Sequence, residues 1–83
     1  MPNDLHTVIH SVEREDGLRC VDIFQRLDST FGFEEFRRDV EDSSGWFSTG
    51  NYLHAEFSSA EAALEQAKEH VHWIGKREVL PTL

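Results

Sequence analysis

Two short turn signals, Asp16-Gly17 and Asp28-Ser29, interrupt runs rich in β-branched and aromatic residues, and they leave the first half of this chain little choice but an antiparallel meander. The run 5–14 carries Val8, Ile9 and Val12 and ends at Glu15-Asp16-Gly17. The run 18–27 carries Val21, Ile23 and Phe24 and stops at Asp28-Ser29. A third strand is predicted over 30–40, with Phe31, Phe33 and Phe36, before a polar cluster at 41–45 reads as a surface loop. A fourth strand is predicted over 46–57, with Gly50-Asn51 marking a bulge or bend inside it.

A single helix closes the fold. Ser58-Ser59-Ala60-Glu61 reads as a capping box with Ser58 at the cap, and Phe57 is placed to staple onto Ala62. Ala60, Ala63, Leu64, Ala67, Val71 and Ile74 then recur at three- and four-residue steps, which predicts a helix over 59–74 with one apolar stripe. Gly75 ends it, Lys76 and Arg77 complement its dipole, and Pro81 blocks any continuation. The expected fold class is α+β: a β-meander of three to four strands with the helix packed on one face.

Treating both turns as two-residue turns fixes a register. Val12 then faces Val21, His10 faces Ile23 and Ile9 faces Phe24 across the first hairpin; Phe24 faces Phe33 and Val21 faces Phe36 across the second. One sheet face collects Ile9, Cys20, Phe24, Phe31 and Phe33, the other Val8, Val12, Val21, Ile23, Leu27 and Phe36. Both faces are apolar at the centre in this register, one helix covers only one of them, and a homodimer through the remaining face or edge is the expected solution.

At 83 residues the chain has room for one core, so residues 1–83 are expected to form a single domain, with 1–4 and 76–83 as flexible or partner-docked tails. Acidic residues outnumber basic ones 16 to 8, for a net charge of -8, which disfavours polyanion binding by charge alone and suits a basic partner. Cys20 is the single cysteine, so no internal disulfide forms, and a cytoplasmic location is expected. No apolar run approaches the roughly 18 residues that cross a bilayer, so no membrane role is expected.

No chemistry is marked. Cys20 sits mid-strand, where a small buried hydrophobe with an inert thiol is the ordinary outcome. His6 and His10 share a face of a regular strand but lie roughly 13 Å apart, and His70 and His72 diverge on a helix, so no metal site is expected. His54 joins neither pair by spacing. The adjacent carboxylates Glu34-Glu35 point to opposite faces and Glu41-Asp42 falls in a loop, while the glycines open no phosphate cradle; no catalytic residue and no cofactor is assigned. Arginines interleaved with aromatics suggest an interaction surface of Arg26, Phe31, Phe33, Arg37, Arg38, Trp46 and Tyr52. The leading expectation is a non-catalytic, dimeric interaction or accessory module. A ligand binder or enzyme with a pocket between sheet and helix, using His54, His70 or Cys20, and a single-strand nucleic-acid binder or acidic decoy for a basic partner are the alternatives.

Overall fold

The computed structural model describes residues 6–41 and 45–81. Strands β1 (His6–Glu13), β2 (Arg19–Arg26), β3 (Phe31–Arg37) and β4 (Phe47–Ser48) form one antiparallel sheet in the order β1-β2-β3-β4, and helix α1 (Ala60–His70) packs against β2 and β3. This is the α+β meander with one carboxyl-terminal helix that the turn signals predict. Among the described residues no helix is long and apolar enough to cross a membrane. Residues 1–4 of the expected tails and most of the 41–45 loop lie outside the described residues.

The first hairpin closes with a four-residue loop, 15–18, inside the Arg14 N–H bond to the Arg19 carbonyl (2.8 Å). Gly17 takes the left-handed conformation there, at φ 73°, where a Cβ would be strained. The Arg14 guanidinium holds the Asp16 carboxyl below the usual range, and the Leu18 amide adds to the effect. A four-residue loop preserves the pairing of a two-residue one, so Val12 faces Val21 and His10 faces Ile23. The partner of Phe24 is Val8 and not Ile9, because a bulge between Val8 and His10 leaves Ile9 as the extra residue. The bulge also separates His6 and His10, which a regular strand would have kept on one face.

The second hairpin corrects the predicted register. Leu27, Asp28 and Ser29 form a three-residue loop inside the Arg26 N–H bond to the Thr30 carbonyl (2.8 Å), with Ser29 at φ 73°. Asp28 supports it by accepting from both the amide and the hydroxyl of Thr30 (3.0 and 2.7 Å), which also lowers its own pKa. One extra loop residue slips β3 by one, so Ile23 faces Phe33, Phe24 faces Gly32, Val21 faces Glu35 and Cys20 faces Phe36. Phe31 and Phe33 thereby join Val12, Val21 and Ile23 on the helix side. Val8, Cys20, Phe24 and Phe36 share the opposite face with Ser11, Asp22 and Glu34, so that face is mixed and not apolar at its centre.

The predicted strand 46–57 is two short pieces. Phe47–Ser48 pairs with Phe36 and Arg37, and Phe57 forms a single bridge with Phe31. Between them residues 49–56 leave the ladder at Gly50, at φ 75°, so the bend expected at Gly50-Asn51 divides the strand completely.

Helix α1 is capped by Ser59, whose hydroxyl accepts from the Ala62 amide at 3.0 Å, one residue later than the predicted Ser58. Replacing Ser59 with Ala is expected to cost about 1 kcal/mol in urea unfolding, and Ser58→Ala to cost much less. The helix ends at His70 and not at 74, because Val71 turns extended (φ -111°, ψ 97°) while its N–H still bonds to Ala67. That turn carries the rest of the apolar stripe back onto the sheet. Val21, Ile23, Phe33, Ala63, Leu64, Ala67, Val71 and Ile74 form the core. Ala63 and Ala67 allow the helix close approach, and each large side chain buried there contributes about 1.5–3 kcal/mol. Beyond it Glu78 bonds to His10 (2.9 Å), and Leu80 packs on the core.

Candidate functional site on the open sheet face

Because α1 covers the face with Val21, Ile23 and Phe33, the opposite face carries the surface chemistry. Period-two alternation, reset by the Ile9 bulge, brings His6, Val8, Ser11 and Glu13 of β1 to it, with Cys20, Asp22 and Phe24 of β2 and Gly32, Glu34 and Phe36 of β3. Its upper part is closed by packing. Phe24 is 2% exposed, beneath the His6 ring (4.4 Å) and the Arg26 guanidinium (5.0 Å). It lies across Gly32, where a Cβ would meet Phe24 Cζ and Arg26 Nη2 at 2.9 Å each. Gly32 is the residue that lets this ring lie flat.

The lower part opens into a shallow cavity of about 300 Å³ lined by Ser11, Glu13, Cys20, Asp22, Phe36 and Trp46. Two carboxylates, Asp22 and Glu34, stand directly opposite each other across β2 and β3. Asp22 accepts from the Ser11 hydroxyl at 2.6 Å. Glu34 is 1% exposed and accepts from the Ser48 hydroxyl and the Glu35 amide. Like charges facing each other oppose the sheet, so both are held by neutral donors. Trp46 forms one wall, with the Arg38 guanidinium 4.4 Å from its ring on the side toward the first hairpin. Arg38 in turn donates to the Gly17 carbonyl (2.7 Å) and lies 4.0 Å from Glu13.

Cys20 forms the buried floor. Burial, followed by the nearby charges of Asp22 and Glu13, pushes its thiol up to about 11. The thiolate is the nucleophile, so Cys20 is expected to react with iodoacetamide at pH 8 far more slowly than it does in urea-unfolded chain, by mass spectrometry. The sign for stability follows from the same shift. The unfolded thiol loses its proton near 9 and the folded one near 11, so the unfolded chain releases protons first and stability falls between those values.

The interaction residues suggested by the sequence are distributed over several elements. Phe33 is 1% exposed in the core, with the tilted Tyr52 ring 4.8 Å from it and Phe31 packed alongside. Arg26 donates to the carbonyls of Leu53 (2.7 Å), Ala55 (3.2 Å) and Phe31 (3.3 Å), fastening the 49–56 segment to the β2–β3 hairpin. Arg37 is exposed opposite Arg19, whose own guanidinium turns to Glu35 (3.3 Å). Of the set only Trp46 lines the cavity, with Arg38 stacked on its ring. Ser11, Glu13, Cys20, Asp22 and Phe36 also line the cavity; the first four follow from the predicted pairing of the first hairpin, and Phe36 joins them only in the corrected register of β3.

His54, His70 and His72 are exposed, and among the described residues no three His, Cys, Asp or Glu side chains converge as metal ligands. The space between α1 and the 78–80 segment, bounded by Glu61, Leu64, Glu65, Glu78, Val79 and Leu80, is about 90 Å³. That is well below the several hundred Å³ of ordinary small-molecule sites. Compared with protein-family models, curated proteins and solved structures, the chain matches none of them.

Proposed function

We propose that the chain is a non-catalytic interaction module whose open sheet face receives a basic segment of a partner protein. The observation that carries this reading is the cavity in which the carboxylates of Glu13 and Asp22 stand beside the apolar walls of Phe36 and Trp46. A lysine or arginine side chain matches that combination: its aliphatic stem lies along aromatic walls while its charged head reaches a carboxylate. The net charge of -8 attracts such a partner over a distance and repels nucleic acid. The raised thiol pKa supports a role without nucleophilic chemistry, since an attacking cysteine needs the opposite shift.

The test is a titration of the isotope-labelled chain with a short peptide of alternating lysine and leucine, followed by amide chemical shifts. Shifts are expected to concentrate on Ser11, Glu13, Cys20, Asp22, Phe36 and Trp46, to weaken with salt, and to vanish in Asp22→Lys. Shifts scattered evenly over the surface, or an equal response to a glutamate and leucine peptide, would overturn the reading.

A further inference from the structure

We infer that a second copy of this chain pairs antiparallel with the outer edge of β1, joining two sheets across a two-fold axis that passes between Ile9 and His10. This goes beyond the proposed face, because it uses the edge of the sheet, although Ser11 and Glu13 border both the contact and the cavity. β1 runs for eight residues and, among the described residues, pairs only with β2. Its other side therefore presents backbone donors and acceptors to any extended strand. At the middle of that edge Val8 and Ile9 are 47% and 37% exposed.

The bulge decides which partner strand fits. Antiparallel neighbours must project onto the same face. In a regular strand, residues equidistant from a point between two positions project to opposite faces, so a symmetric contact centred there is forbidden. In β1 the extra residue Ile9 resets the alternation: His6, Val8, Ser11 and Glu13 share the open face, while Thr7, His10 and Val12 share the helix face. About the point between Ile9 and His10, His6 then meets Glu13, Thr7 meets Val12 and Val8 meets Ser11, each pair matched in face. The strand is thus self-complementary in orientation, and in polar partners as well, since an imidazole N–H stands opposite a carboxylate at both ends of the contact. Such reciprocity is what an isologous dimer requires. A bulge placed elsewhere would have blunted the edge.

Sedimentation equilibrium of the full chain, with a His6→Glu variant and a His6→Glu, Glu13→Lys double variant, tests the inference. A dimer is expected for the native chain. His6→Glu sets carboxylates opposite each other twice and is expected to weaken the dimer roughly tenfold or more, and the double variant to recover it. Far-UV circular dichroism of each variant separates loss of pairing from loss of folding, and deuterium uptake of the β1 amides in native chain, slower at high than at low concentration, gives a reading that needs no variant. A native monomer at high micromolar concentration overturns the inference. So does a dimer that tolerates His6→Glu but is broken by Asp22→Lys, which would place the second copy on the open face. Peptide binding to the cavity persisting in a monomeric chain leaves the proposed function standing while the edge inference falls.

Discussion

Phe33→Ala is expected to lower stability by about 3–5 kcal/mol, the largest effect of any single substitution in this fold. Phe33 is 1% exposed, sits opposite Ile23 in the middle of the sheet, and touches the rings of Tyr52 and Phe57. It is the point at which β3, α1 and the irregular 49–57 segment meet, so truncation removes buried area and leaves a cavity no neighbour can fill without moving the sheet. A chain of this size is stable by only about 4–12 kcal/mol in total. Urea unfolding of the variant is therefore expected to begin in dilute denaturant or to show no native baseline. Phe36→Ala, on the open face, is expected to cost clearly less, because Phe36 is only partly covered. A larger loss at Phe36 than at Phe33 would mean that the sheet is turned over relative to the helix.

The second large effect falls on Arg26. Its guanidinium stacks over Phe24 and donates to three carbonyls and the Thr30 hydroxyl, holding together the β2–β3 turn and the loop that replaces the predicted fourth strand. Arg26→Ala is expected to cost about 1.5–3 kcal/mol, the range for hydrogen bonds made by a charged donor. The damage is expected to be local first: the Phe57 amide, bonded to the Phe31 carbonyl at 2.9 Å, should exchange with solvent faster, while the β1–β2 amides keep their protection. Arg26→Lys is expected to recover little, because a single ammonium cannot span acceptors that a planar fork reaches together. Full rescue by lysine, measured by the same exchange experiment, would show that charge and not geometry matters there.

The order of elements is legible because Gly and Asp punctuate runs of β-branched and aromatic residues, and because the helical stripe from Ala60 to Ile74 has no competing period. Register is less legible. Asp28-Ser29 is read most simply as a two-residue turn, and nothing in the sequence marks Ser29 for a left-handed conformation that glycine or asparagine adopts more readily. The supporting bonds from Asp28 to Thr30 are visible only once the loop has closed. The bulge at Ile9 is equally silent, since a β-branched residue is the last type a pattern would choose for it. Adjacent serines offer two caps of equal chemistry, and the choice of Ser59 is made by packing. These small slips matter because side chains alternate in direction: one residue in β3 moves Phe33 into the core and Glu34 onto the open face. The acidic half of the cavity, Glu13 and Asp22, follows from the predicted pairing of the first hairpin, whereas its aromatic wall Phe36 depends on the β3 register. Composition alone points to Arg38 and Trp46.

The β2–β3 register decides which carboxylates and aromatics share the uncovered face. Cross-strand proton contacts in an isotope-labelled sample measure it directly. Contacts are expected between Ile23 and Phe33 and between Asp22 and Glu34 on facing strands. Contacts between Phe24 and Phe33, with Val21 facing Phe36, would contradict this register and remove Glu34 from the open face altogether.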